Sequence, residues 1–307
     1  MKSYKEKELE CEFRFGLNAQ YWHLFTNGKT VDTVFDNREE FIVGMNLLAI
    51  SKCHIPKVKI YTFNLMNNHL HIILSGNRDD CIRLFEDYKT RLKRYFSRKG
   101  QPRKLDGFNC SLINIDNLNS LRIEIAYVNR NGFLARKDCT PFSYPWGANS
   151  FFFNEFHSLL NSTAYDTLSF KDKRLICRSN SIDIPENNLL VHDGLILPSS
   201  FCNIKEAESF YRDAHHYFNI ISKNYEAYSA IAKNLSERTF LTDEDMISAA
   251  SSLCFKEYGE RRPALLQPQQ KLDLARRLHQ DYNASNRQIC SILKIEKDII
   301  ETLFPKY

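Results

Sequence analysis

Apolar positions in the first half of the chain follow two alternating periods. "VKIYTFNLMNNHLHIILSG", Val58 to Gly76, is rich in β-branched and aromatic residues and ends on Ser-Gly. It predicts a strand, a turn and a second strand that carries His69, Leu70 and His71. "AQYWHLFTNGK" predicts an earlier strand closing on an Asn-Gly turn. Between the two, "NREEFIVGMNLLAISKC" places Phe41, Met45 and Leu48 at helical spacing. "RDDCIRLFEDYKTRLKRYFSRKG" and "LNSLRIEIAYVNRNGFLARK" predict two further amphipathic helices. Strand, helix, two strands, helix is the order of an α+β fold, a ferredoxin-like antiparallel sheet with helices on one face.

The pattern changes after Phe156. "VHDGLILPSS" predicts a short hairpin or loop around Asp193-Gly194, and helical segments follow, one opening on Thr242 as N-cap. "ERRPALLQPQQ" then leads into three short helices. The expected inward positions are Leu272, Ala275 and Leu278, then Ile289 and Ile292, then Ile299, Ile300 and Leu303, with turns at Asn283-Ala284 and Lys294. That spacing predicts a helix-turn-helix unit at the end of an all-helical C-terminal region; a small bundle for protein contacts has the same pattern. The expected domains are 1–156, a mostly helical middle region 157–262, and 263–307.

Composition narrows the class. At 307 residues with 43% hydrophobic and 26% charged residues, the chain has ordinary globular character and room for two domains. Nine scattered cysteines show no CxxC pair, which argues against a zinc ribbon or a disulfide scaffold. No apolar leader and no membrane-length apolar run is visible, so a cytoplasmic protein without a membrane partner is expected.

The net charge is only +5, so its distribution matters more than its total. From Tyr88 to Lys104 eight Lys and Arg occur with no acid. A solvated helix face has this character, and so does a nucleic-acid groove, in which Lys89, Arg91, Lys93, Arg94, Arg98 and Lys99 would contact phosphates while Tyr88, Tyr95 and Phe96 stack bases. In the C-terminal unit the last helix carries Glu296, Asp298 and Glu301 against Lys297, so further DNA contacts would fall largely to Arg276, Arg277 and Arg287.

The candidate chemistry begins with the histidines. Residues i and i+2 of a strand share a face, so His69 and His71 project together; two histidines on the wet face of a sheet would look the same. Tyr127 and Asn131 are four apart and share a helix face. Asn131 offers a carboxamide oxygen to a hard cation, and with two imidazoles this makes a mixed donor set for Mg²⁺ or Mn²⁺. Taken alone, Tyr127 is a packed amphipathic residue. His23, on the first strand, has two readings, a neighbour of the site or, preferred, a plain sheet residue, and His215-His216 diverge by about 100° on a helix and do not share a metal.

"NNHLHIIL", then "AYVNRN", then "PFSYPWGANSFFF", in that order, resemble the REP-associated tyrosine transposases, single-tyrosine members of the HUH superfamily. The resemblance spans roughly residues 15–156. Two segments depart from the family pattern: Asn131-Gly132 stands where Asn-Pro is typical, and Gly147-Ala148 where Ser-Ser is typical. The resemblance implies metal-dependent cleavage and rejoining of single-stranded or hairpin DNA, with Tyr127 as nucleophile, a 5′-phosphotyrosine intermediate, and His69, His71 and Asn131 as metal ligands. Related enzymes often act as dimers. A phenol of pKa near 10 is about one part in a thousand ionised at neutral pH, so it needs such help. Imidazole binds metal only when neutral, so activity is expected to fall below roughly pH 6. Two other classes remain open from the residues: a DNA-binding regulator without chemistry, and a metal-dependent nuclease in which water attacks.

Overall fold

The computed structural model describes residues 2–18, 20–134, 142–156, 160–185, 188–223, 228, 231, 232, 234, 235 and 241–305. They form two compact units, Met1–Ser222 and Lys223–Tyr307.

The first unit opens with helix α1 (Tyr4–Gly16), where the charge pattern by itself shows only a polar terminus. Its signal is a capping box: the Ser3 side chain accepts from the Glu6 amide while the Glu6 carboxylate accepts from the Ser3 amide. Then follow β1 (Tyr21–Thr26), α2 (Arg38–His54), β2 (Lys59–Leu65), β3 (Leu70–Ser75), α3 (Arg78–Arg98), β4 (Cys110–Ile115) and α4 (Leu118–Leu134). From β1 to β4 the order is βαββαβ, and the antiparallel sheet runs β2-β3-β1-β4, as expected of a ferredoxin-like α+β fold. β4 is not evident from the sequence pattern because "CSLINI" is short and only partly buried.

Register decides what each face carries. His23, Ile73 and Thr62 lie side by side, as do Phe25, His71 and Asn64. The intervening residues Leu24, Ile72 and Phe63 face the other way. Leu65, on this second face, meets α2 at Gly44, and α3 packs on α2. The two crossover helices thus share one face, and α4 lies across the other, where Asn64 Nδ2 donates to the Val128 carbonyl (2.9 Å). Both faces being covered, every residue of β1 and β3 is buried.

The expected middle region is divided between the units. β5 (Thr163–Ala164), β6 (Leu190–His192) and β7 (Leu195–Ile196) form a small sheet whose Asp193-Gly194 turn takes positive φ at both residues, as a tight hairpin requires. Asn46 of α2 clamps this hairpin, donating to the Gly194 carbonyl and accepting from the Ile196 amide, both at 2.8 Å. Helices α5 (Phe170–Cys177), α6 (Ile204–Glu208) and α7 (Ala214–Lys223) complete the unit. Arg122 of α4 ion-pairs with Glu8, and Arg130 donates to the Ile221 carbonyl (3.0 Å), which fixes the position of α4.

In the second unit, helix Asp243–Tyr258 starts at Thr242 with a capping box and packs with Pro268–Tyr282, Asn286–Leu293 and Lys297–Leu303. Asn283 and Lys294 make the turns in the left-handed region, as expected. Two inward assignments need correction. Leu274 fills the core in place of Leu272, since the buried stripe runs Leu274, Ala275, Leu278 and Tyr282; Ile299 is 46% exposed because its neighbour Ile300 takes the inward position. The described cysteines are free thiols, and no helix among the described residues is long and apolar enough to cross a membrane.

Candidate active site

The β2-β3 turn carries the first histidine. Asn67 and Asn68 form a two-residue loop closed by the Met66 amide on the His69 carbonyl (2.8 Å). The Asn67 carbonyl accepts from the amides of Val34 and Phe35, and Asn68 Nδ2 donates to the Gly28 carbonyl, so the loop is tied to the chain leaving β1. His69 follows directly, and its Nδ1 donates to Asn68 Oδ1 (2.7 Å). Its ring stands edge-on to that of His71, with centroids 5.1 Å apart.

His71 is fully buried. It belongs to a chain of hydrogen bonds that begins on α4: Glu124 Oε2 to His23 Nδ1 at 2.8 Å, His23 Nε2 to His71 Nδ1 at 2.9 Å, and His71 Nε2 to Asn131 Nδ2 at 3.4 Å. Hydrogen-bonding roles follow from chemistry. A carboxylate only accepts, so His23 donates from Nδ1; a neutral His23 then accepts at Nε2, His71 donates from Nδ1, and His71 Nε2 carries its lone pair toward Asn131. By the same logic the lone pair of His69 is on Nε2. Each imidazole thus has one basic nitrogen.

Tyr127 completes the group. Its ring lies edge-on to His71 (centroids 5.8 Å apart, 89° between planes) and near His23 (6.2 Å), and it is 5% exposed. Asn129 anchors the turn between Tyr127 and Asn131: it accepts from Thr62 Oγ1 of β2 and donates to the Tyr217 hydroxyl of α7 (2.7 Å). The structure therefore brings His69, His71, Tyr127 and Asn131 together. Sequence reasoning does not single out His23 or Glu124 as members of the group. Their signals are present, since His23 is two residues from Phe25 on one strand face, and Glu124, Tyr127 and Asn131 have the i, i+3, i+7 spacing of one helix face.

Gly132 and Gly147 have a physical reason. A side chain on Gly132 would overlap the Tyr144 ring and the Asn64 amide, and the Tyr144 hydroxyl donates to the Leu65 carbonyl (2.7 Å). The segment Trp146–Ala148 lies along the outer edge of β2, with the Leu65 amide on the Trp146 carbonyl (2.8 Å) and the Ala148 amide on the Phe63 carbonyl (3.1 Å). Gly147 permits that approach, since a Cβ there would sit 2.9 Å from the Phe63 carbonyl oxygen.

The cations do not join this site. Lys89, Arg91, Lys93, Arg94, Arg98 and Lys99 belong to α3 and its C-cap, on the far side of the sheet with α2. The expected stacking aromatics are core residues, with Tyr88 and Phe96 at 0% and 1% exposure and Tyr95 at 6%, because they form the inward stripe of α3. Lys89 donates to Asn109, Arg91 pairs with Asp87 and Lys99 with Glu40, which leaves Lys93, Arg94 and Arg98 exposed without an ion pair among the described residues. In the second unit Arg276 pairs with Asp273, Arg277 with Glu257 and Asp281, and Lys297 with Glu301, while Arg287 is exposed.

Among the described residues, no group of three or more His, Cys, Asp or Glu side chains is arranged to hold a metal ion. A metal here would depend on two imidazoles and the Asn131 carboxamide. No family model, curated protein or solved structure matches the chain.

Proposed function

We propose that the chain is a metal-dependent, single-tyrosine DNA transposase or nickase that cuts and rejoins single-stranded or hairpin DNA in the cytoplasm. One observation carries the reading: residues from β1, the β2-β3 turn, β3 and α4 converge on one cluster, in which the Tyr127 ring meets the imidazoles of His71 and His23, His69 stands edge-on to His71, and Asn131 reaches His71 Nε2. His69, His71 and Asn131 would hold Mg²⁺ or Mn²⁺, with the Asn131 carboxamide turned to offer its oxygen. When bound, the ion polarises the scissile phosphate and offsets charge in the transition state.

The residues of the chain do the rest. Glu124 and His23 hold His71 in the tautomer that keeps Nε2 unprotonated. The Tyr127 oxygen attacks phosphorus and gives up its proton to base; the bond to the 3′ oxygen breaks, and that oxygen takes up a proton. The 5′-phosphotyrosine keeps the phosphodiester energy, so a 3′-hydroxyl can reverse the step and join new ends, as DNA transposition and recombination require. Dimeric action, as in the enzymes the sequence resembles, belongs to the same reading.

The 5% exposure of Tyr127 favours a second reading, in which water attacks and the phenol is structural. One experiment separates them. The protein is incubated with Mn²⁺ and labelled hairpin oligonucleotides from around its own gene, beside Tyr127→Phe, and resolved on denaturing gels. An adduct absent in Tyr127→Phe supports transesterification. Cleavage without adduct, unchanged by the substitution, supports the hydrolase, and binding without cleavage supports a regulator.

A further inference from the structure

The basic end of α3 meets a second group of cations, contributed by α5. A cavity of about 570 Å³ is lined by Arg98 and Lys99 of α3 and its cap and by Phe170, Lys171, Arg174 and Arg178 in and just after α5. The carboxylate on its wall, Glu39, is taken by Arg178 at 3.0 Å. Asp172, the acid within α5, is turned to the Ser169 cap. Lys99 is held by Glu40 as Arg178 is by Glu39, which leaves Arg98, Lys171 and Arg174 around the hollow without an ion pair among the described residues, and three such cations favour an anion between them.

The apolar part of the wall points further. Phe170 is 62% exposed and Leu175 51% exposed, although neighbouring Ile176 and Cys177 are buried. The Arg174 guanidinium lies 5.7 Å from the Phe170 ring centroid, and Arg178 stands over the Tyr95 ring, also at 5.7 Å. Arg178 Nε is buried and has no hydrogen-bond partner. An exposed aromatic beside guanidinium planes and a set of cations suits a ligand with both phosphates and flat bases; a bare polyanion has no use for Phe170.

We infer that this cavity binds an unpaired DNA segment, with phosphates on Arg98, Lys171 and Arg174 and a base stacked on Phe170. Since α2 and α3 cover the face of the sheet opposite His71, the site is separate from the histidine cluster. The inference deepens the DNA reading above and depends on it for the identity of the strand; its test needs no cleavage.

The test is fluorescence anisotropy of the full chain with a labelled single-stranded oligonucleotide over a range of salt, without divalent ions. Phe170→Ala should weaken binding about tenfold, the size of one lost base stack. Lys171→Glu with Arg174→Glu should flatten the salt dependence by about 0.7 in log–log slope per lost phosphate contact. All three side chains are exposed, so thermal melts should match wild type. An abasic oligonucleotide should bind weakly and be indifferent to Phe170→Ala. Variants that bind as wild type, or an RNA strand held more tightly than DNA, overturn the inference. If no adduct ever forms but binding depends on Phe170, cleavage fails and the site stands; if adducts form but binding is indifferent to these residues, the site fails and cleavage stands.

Discussion

Leu24, Ile72 and Phe63 on one face of the four-stranded sheet, and His23, His71, Thr62 and Asn64 on the other, come from alternate positions of the same three strands. Both sets are almost wholly buried. The first is covered by α2 and α3, which pack on each other, and needs only close packing. The second is covered by α4, and nearly every polar group there has found a partner: His23 with Glu124, His71 with His23 and Asn131, Thr62 with Asn129, and Asn64 Nδ2 with the Val128 carbonyl, Asn64 Oδ1 being the exception. A buried polar group without a partner costs on the order of 1–3 kcal/mol, so a helix that covers such a face must supply matching groups at matching heights. The apolar face tolerates many helices; the polar face accepts one in a single register. That is how a sheet of ordinary strands holds a cluster of reactive side chains in fixed geometry.

The comparison can be broken most severely at its centre. His71→Ala removes a proposed metal donor and the acceptor beside Asn131, and should lower cleavage about 10³-fold in a gel assay. The pair Lys93→Ala and Arg94→Ala, on the other side of the sheet, should leave cleavage of a short hairpin within about twofold, a difference that screening of exposed charges makes ordinary. Equal losses from both variants would mean that the faces are not functionally distinct.

A smaller effect is expected one step out from the centre. Glu124→Gln keeps the shape but lets the amide donate where the carboxylate accepted, which upsets the tautomers of His23 and His71. Metal affinity measured by calorimetry should fall about 10–100-fold, with the thermal melt little changed. Gly132→Ala tests the packing of α4 against Tyr144 and Asn64. Overlap there should destabilise the first unit by about 2 kcal/mol in urea unfolding, whereas Gly100→Ala, with nothing within 4 Å but a positive φ of 76°, should cost about 1 kcal/mol through backbone strain alone.

The smallest effect concerns a histidine outside the sheet. Burial, with Arg212 and Arg122 nearby, pushes the His216 imidazole down to about 4, against a smaller upward pull from Glu8 and Asp213. The unfolded chain takes up this proton near 6.5 and the folded one only near 4. Stability from neutral His216 is therefore present above pH 6.5 and lost as pH falls toward 4. On the order of 1 kcal/mol, allowing for solvent screening, should separate unfolding free energies at pH 7 and 5, and His216→Gln should shrink that gap.

Local pattern is enough to locate most elements. Strands β1 to β3, helices α2 to α4, the Asp193-Gly194 hairpin, the Thr242 cap and the turns at Asn283 and Lys294 all follow from apolar period, capping residues and turn chemistry, which act over a few neighbouring residues. The expected strand position of His69 needs correction: it ends the β2-β3 turn, one residue before β3, because the Asn67-Asn68 loop takes up the chain there, and its ring still meets that of His71. The positions of α1 and β4 are less legible, the first hidden by its charges and the second by its brevity.

What local pattern does not decide is partnership across the fold. His23 and Glu124 are 101 residues apart and meet because β1 is paired with β3 and α4 lies over both. The basic run looks like a partner for the histidines because it follows them closely in the chain, and the packing of α3 on α2 holds it on the other side of the sheet. Tyr88 and Phe96 look like stacking surfaces because the sequence shows an aromatic without showing which way the helix is turned. The sequence determined which side chains exist and how each is spaced along its own element; the tertiary structure alone decided which of them meet, since strand order, crossover hand and helix register are set by burial summed over the whole unit.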